Sequence, residues 1–156
     1  MSLQKGDKAP LFHLYSSEKK QINLEDYAGK NVVILFFPLA FTSTCTAELC
    51  SVRDDISQYS SLNAEVIAIS VDSPHTLAIY KREQNLNFTL LSDFNKEASR
   101  AYDSIYEMFG YNMKGVSKRS AFVVDKNGII QYAEVLESAG DLPNFEAINA
   151  TLEQLK

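Results

Sequence analysis

The sequence predicts an α/β fold: a mixed central sheet with helices on both faces and a hairpin at its N-terminal end. Three observations carry this prediction. The runs at 32–37 and 65–72 are apolar on both faces, as strands covered from two sides must be. Helical patterns alternate with these runs and with a shorter one at 89–91, which makes βα units. Asp125-Lys-Asn-Gly128 then separates two further strand-like runs and reads as a hairpin turn.

Taken in order, residues 12–15 and 21–23 flank a polar Ser-Ser-Glu-Lys-Lys tip, which suggests the first hairpin. Residues 24–29 look like one helical turn closed by Gly29. The 32–37 strand hands over to a helix, treated below. The 65–72 strand follows, and Pro74 suits the first turn of a helix running to Gln84. After the 89–91 strand, residues 95–102 read as helix. Strands at 120–125 and 128–135 surround the Asp125–Gly128 turn. Phe145, Ile148, Leu152 and Leu155 repeat at helical spacing and place a last helix over 144–155.

A chain of 156 residues is most simply one domain, spanning 1–156. Its net charge of −5 argues against nonspecific nucleic-acid binding, which needs a basic face to neutralise phosphates. No segment approaches the length of a membrane span, and the first residues lack an apolar signal core, so the expected compartment is the cytoplasm. Two cysteines in a reducing compartment make a poor structural staple. Neither His13 nor His75 has ligand spacing to them, so no metal is expected.

Both cysteines fall in Pro38-Leu-Ala-Phe-Thr42-Ser-Thr-Cys45-Thr-Ala-Glu48-Leu-Cys50, at the carboxyl end of the 32–37 strand, where sheets of this kind gather ligands. From Thr42 onward Cys45, Leu49, Val52, Ile56 and Tyr59 share one helical face. Cys45 would then be a small buried hydrophobe, a common fate of free cysteine. It would also sit in the first helical turn, where unpaired N–H groups and the dipole favour a thiolate. Thr42 suits the N-cap, and its hydroxyl could also reach a group bound at Cys45.

Pro38-x-x-x-Thr42-x-x-Cys45 resembles the peroxiredoxin active-site motif without departure. The flanking Phe-Phe-Pro-Leu-Ala-Phe-Thr is similar to the alkyl hydroperoxide reductase E type. The resemblance extends to Gly6-Asp-Lys-Ala-Pro10-x-Phe12, Leu90-Leu-Ser-Asp93 and Arg119-Ser-Ala-Phe-Val-Val-Asp125, nearly the whole chain. It implies a thioredoxin-like fold and a thiol peroxidase without a cofactor, acting on hydrogen peroxide or organic hydroperoxides. By resemblance, Cys45 is the peroxidatic cysteine, oxidised to sulfenic acid. The Thr42 hydroxyl and the Cys45 backbone N–H look like donors that orient the peroxide. Arg119 looks like the cation beside sulfur and peroxide, and Pro38 like the proline that shields the pocket. Arg119 is chosen over the neighbouring Lys118 because the strand after it matches the family, although a strand-start arginine is often solvated.

Glu48 matches a frequent family glutamate and could orient an arginine; a surface glutamate is the plain alternative. Arg53 is a second candidate cation, with a surface salt bridge as its ordinary role. Cys50 departs from the alkyl hydroperoxide reductase E type and resembles the resolving cysteine of the peroxiredoxin Q (bacterioferritin comigratory protein) group. Five residues of α-helix separate Cα atoms by roughly 8–9 Å, so a Cys45–Cys50 bond requires that turn to unwind. Relatives of the first type tend to dimerise and those of the second are often monomers; a homodimer is favoured here. Thioredoxin is the expected reductant. Two other readings compete. A disulfide oxidoreductase normally needs Cys-x-x-Cys, which is missing. A non-catalytic thioredoxin-fold adaptor or a peroxide sensor would share the fold, and the sensor also the first chemical step.

Overall fold

The computed structural model describes residues 2–155. A seven-stranded sheet runs in the order β2-β1-β5-β4-β3-β8-β9. Its strands are β1 His13–Ser16, β2 Gln21–Asn23, β3 Asn31–Phe36, β4 Ala64–Ser70, β5 Thr89–Ser92, β8 Ser120–Val124 and β9 Ile130–Val135. Strands β3, β4 and β5 are mutually parallel, while β1, β2, β8 and β9 are antiparallel to their neighbours. The sheet is therefore mixed, with a hairpin at each edge.

Central β3 explains the sequence pattern. Every one of its residues is buried, because alternate side chains enter two different cores. Val33, Leu35 and Phe37 meet helices α1 (Ser43–Asp54), α3 (Pro74–Gln84) and α5 (Phe145–Gln154). Val32, Ile34 and Phe36 meet the N-terminal segment and Tyr102, just beyond the short helix α4 (Glu97–Ala101). Burying each such side chain contributes about 1.5–3 kcal/mol before entropy is counted. That load fixes where β3 ends, and hence where residues 37–45 emerge.

Three local differences from the sequence reading have physical causes. The helix after Thr42 breaks at Asp55 (φ −104°, ψ 13°), and α2 (Ile56–Ser61) continues beyond it. Even so, Cys45, Leu49, Val52, Ile56 and Tyr59 all pack into one core, so the apolar face runs across the break. Helix α4 is shorter than residues 95–102. Lys96 is left-handed (φ 66°), and the Asp93 carboxylate accepts from the N–H groups of Ala98 and Ser99, which starts the helix later. Strands β6 (Ile105–Tyr106) and β7 (Val116–Ser117) form a two-residue ladder too short to leave any periodicity in sequence. This ladder delivers the chain to Arg119, whose carbonyl accepts from Leu136 N–H while Lys118 N–H donates to Ser104.

Candidate active site

Cys45 is the third residue of α1 and only 1% exposed. Four features of the preceding loop bring it there. Pro38 is buried at the end of β3. Ala40 N–H donates to Asp72 Oδ2 at 2.8 Å, tying the loop to the end of β4. Phe41 takes a left-handed conformation (φ 66°), which costs a non-glycine residue about 1–2 kcal/mol. Its ring packs against Tyr80 of α3 with centroids 4.9 Å apart, which offsets that strain. Thr42 then adopts the extended backbone of an N-cap (φ −101°, ψ 154°).

The Thr42 side chain departs from the expected role. Its hydroxyl donates to the Leu39 carbonyl at 2.8 Å and makes no capping bond. With its proton engaged, the oxygen is left as an acceptor rather than the donor expected from sequence. The N–H groups of Ser43, Thr44 and Cys45 find no acceptor among the described residues, as at the open end of any helix. These N–H groups, rather than the Thr42 hydroxyl, are the free donors in the turn that carries Cys45.

Arg119 reaches the same point from the start of β8 and is 1% exposed. Its Nη2 donates to Cys45 Sγ at 3.2 Å, its Nη1 to Glu48 Oε1 at 2.6 Å, and its Nε to the Ala139 carbonyl at 3.0 Å. All three arms of the guanidinium are thus held, which is what its planar fork allows and a lysine would not. Burial opposes the charge of Arg119, but Glu48 and the Cys45 sulfur more than offset this and keep it cationic. Lys118, its neighbour, points outward to Glu137 (3.0 Å) and lies over the Tyr106 ring.

Glu48 is fully buried, not a helix-surface residue. Burial pushes its carboxyl up to about 7, with Arg119 pulling it back down. Its second oxygen, Oε2, has no hydrogen-bond partner among the described residues. One guanidinium therefore serves two acidic groups. Whatever negative charge Glu48 carries competes with the sulfur for Arg119.

Arg53 does not join this group, and the expectation of a second cation there is corrected. It points the other way along α1, donating Nη1 to the Gln84 carbonyl at 2.6 Å and Nε to Asp54 at 3.0 Å. The reason is distance along the helix: Arg53 lies eight residues, roughly 12 Å, beyond Cys45, where α1 passes the end of α3. Cys50 sits at that end too, half-buried, with Sγ 3.6 Å from Gln84 Oε1. Both cysteines are free thiols in a continuous helix.

Two contributors were missed in the sequence. Asp72 could have been suspected, because it follows β4 at the same carboxyl edge of the sheet as residues 38–42. Its Oδ2 also accepts from Ser70 Oγ at 2.6 Å. Ala139 acts through its carbonyl, and a backbone acceptor in a loop leaves no mark in a sequence.

A buried cysteine at a helix start, an arginine held on it and a Pro-x-x-x-Thr-x-x-Cys loop define one chemistry, and the comparisons agree. The profile of the AhpC/TSA family matches residues 5–133. The chain belongs to that family. It is a peroxiredoxin, an enzyme that reduces peroxides with a cysteine thiol. A putative peroxiredoxin from Mycobacterium tuberculosis is 39% identical over 134 residues, covering 85% of each chain. Alkyl hydroperoxide reductase E from the same organism is 38% identical over 136 residues, covering 85% of this chain and 86% of its own. Among solved structures, Xanthomonas campestris peroxiredoxin Q superposes with a TM-score of 0.79 at 27% identity, covering 92% of this chain and 90% of its own. Peroxidoxin BcpB from Mycobacterium tuberculosis shares the fold at 24% identity, with a TM-score of 0.86 over 99% of each chain. The thioredoxin-like architecture expected from sequence is therefore that of this peroxiredoxin.

Proposed function

We propose that Cys45 is the sulfur that attacks the peroxide and that Cys50 resolves the product. The observation that carries this reading is the 3.2 Å contact of Arg119 Nη2 with the buried Cys45 Sγ at an open helix start. The thiolate attacks the terminal oxygen of the hydroperoxide. The S–O bond forms as the O–O bond breaks, leaving sulfenic acid on Cys45 and an alkoxide or hydroxide that takes a proton and departs as alcohol or water. Arg119 and the free N–H groups of residues 43–45 stabilise the oxygen that gains charge. Thr42 Oγ1, an acceptor here, takes the hydrogen bond of the incoming O–H, and Pro38 keeps water from the loop. Glu48 orients Arg119.

Cys50 then attacks the sulfenic sulfur, releasing water and forming a Cys45–Cys50 disulfide. A dithiol reductant of the thioredoxin type returns both sulfurs to thiols. A mouse relative named a mitochondrial thioredoxin-dependent peroxide reductase, 34% identical over 158 residues, supports that choice; the match covers 95% of this chain and 58% of the mouse protein. We place the enzyme in the cytoplasm, whose thiol pool keeps such a cycle running. We also propose a homodimer, supported by the exposure of Phe41 and Ile79 beside the active-site loop; light scattering on the reduced protein tests it.

The central test is a thioredoxin-coupled peroxidase assay. Cys45→Ser should consume no peroxide. Cys50→Ser should consume one equivalent and stop at sulfenic acid. Normal single-turnover consumption by Cys45→Ser would reject the assignment of the attacking sulfur.

A further inference from the structure

We propose that Gln84 and Arg53 form a latch that holds Cys50 away from Cys45, and that its release sets the rate of disulfide formation. This rests on the reading of Cys50 as the resolving thiol. The Cys50 thiol donates to Gln84 Oε1 at 3.6 Å, so its proton is directed toward α3. Arg53, three residues later and therefore a neighbour on the helix surface, donates to the Gln84 carbonyl at 2.6 Å. Asn87 Nδ2 donates in turn to the Arg53 carbonyl at 3.2 Å. Gln84 ends α3, and Asn85 follows in the left-handed conformation (φ 53°). Carbonyls in a last helical turn lack partners within the helix and lie at its negative end. A guanidinium there makes a charge-assisted bond. Residues 50–53 are thus fastened to the end of α3 and the loop that follows it by three contacts.

The first half of α1 is fastened differently. Cys45 and Glu48 are held by Arg119, and Thr46 Oγ1 meets the Tyr80 hydroxyl at 2.9 Å. Oxidation itself loosens that half, because sulfenic acid replaces the anion that Arg119 faced. Nothing in the peroxide reaction loosens the second half. Resolution requires Cys50 Sγ to attack the Cys45 sulfur: the S–S bond forms, the S–O bond breaks, and hydroxyl leaves as water with the Cys50 proton. A disulfide needs Cα atoms within about 6.8 Å, which intact helix forbids. Cys50 must turn out of its contact with Gln84, and the backbone that carries it must part from the end of α3. Arg53 and Gln84 are therefore positioning residues for the second chemical step and have no part in the first.

The test uses the full-length reduced chain mixed with hydrogen peroxide, quenched with acid, alkylated and resolved by mass spectrometry into thiol, sulfenic, disulfide and sulfinic forms. Loss of the Cys45 thiol should proceed at one rate in wild type, Arg53→Ala and Gln84→Ala. The Cys45–Cys50 disulfide should form about tenfold faster in both variants, and the sulfinic fraction at high peroxide should fall. Arg53→Lys keeps a cation within reach of the Gln84 carbonyl and should restore the slow wild-type rate, which general loosening of the helix would not produce. Unchanged or slower disulfide formation in both alanine variants, with wild type still forming the bond, would overturn the latch and leave Cys50 as the resolving thiol. Absence of a Cys45–Cys50 disulfide in wild type would remove that role of Cys50 and the latch with it.

Discussion

Cys45 and Cys50 lie on one helix, five residues apart, in opposite surroundings. Cys45 is sealed in the core, contacts a guanidinium and sits in a first helical turn whose N–H groups find no acceptor among the described residues. Cys50 is half-buried and faces the carbonyl oxygen of a neutral amide. The same residue type is thus offered positive charge at one end of α1 and an acceptor at the other. Reactivity here is set by what surrounds each sulfur and not by nearness in sequence.

The difference is broken most completely by removing the cation. Arg119→Ala takes away the sulfur's guanidinium and leaves Glu48 buried without its partner. Losing one such contact commonly lowers a rate about 10²–10³-fold, and stopped-flow oxidation of Cys45 by hydrogen peroxide should fall by that order. Lys118→Ala is the matched control. Its ion pair with Glu137 is exposed, and such pairs contribute about 0–1 kcal/mol, so its oxidation rate should match wild type. Equal rates for Arg119→Ala and wild type would show that the charge beside Cys45 is not what distinguishes the two sulfurs.

A smaller effect is expected from the loop that carries Cys45. Asp72 holds Ala40 N–H and Ser70 Oγ with a single carboxylate oxygen. Hydrogen bonds to a charged group contribute about 1.5–3 kcal/mol each, so Asp72→Ala should slow Cys45 oxidation roughly tenfold by letting residues 38–42 relax. Asp72→Asn keeps an acceptor oxygen and should recover most of the rate. Disulfide formation from preformed sulfenic acid should not change, because residues 50–53 are anchored to α3 and not to β4. A variant that slowed both steps equally would mean that the two halves of α1 are not independently held.

How far this division was legible in the sequence differs between the two ends. The strand-to-helix junction and the buried face of α1 could be reached because periodicity encodes them, whereas the pairing of Arg119 with Cys45 was reached only through the family resemblance of residues 119–125. For Glu48 the sequence left two fates open, orienting an arginine or lying on the surface. A glutamate on a helix gives the same letter whether it faces water or a buried arginine 71 residues away in sequence. Arg53 failed for the same reason. Its distance from Cys45 along the helix was known, but the position of the end of α3 was not. The Asp55 break was invisible because the apolar spacing continues through it. The loop at 136–144 reaches the Arg119 guanidinium through the Ala139 carbonyl, which no side-chain pattern reports.

The smallest effect concerns the charge that Cys45 shares Arg119 with. Burial raises the Glu48 carboxyl from its ordinary range to about 7, despite the pull of Arg119. The folded protein therefore holds a proton on Glu48 that the unfolded chain has released once pH exceeds about 4.3. Stability falls with pH wherever the native state binds more protons, so the contribution of Glu48 is fully present below the unfolded value and is lost as pH rises through about 7. Glu48→Gln cannot titrate but keeps an oxygen for Arg119 Nη1. The melting temperature of Glu48→Gln minus that of wild type should accordingly be higher at pH 8 than at pH 5, by a few degrees. If wild type instead gains on Glu48→Gln as pH rises, the ion pair outweighs the cost of burial. Glu48 would then be an anion throughout, sharing Arg119 with the sulfur at every working pH.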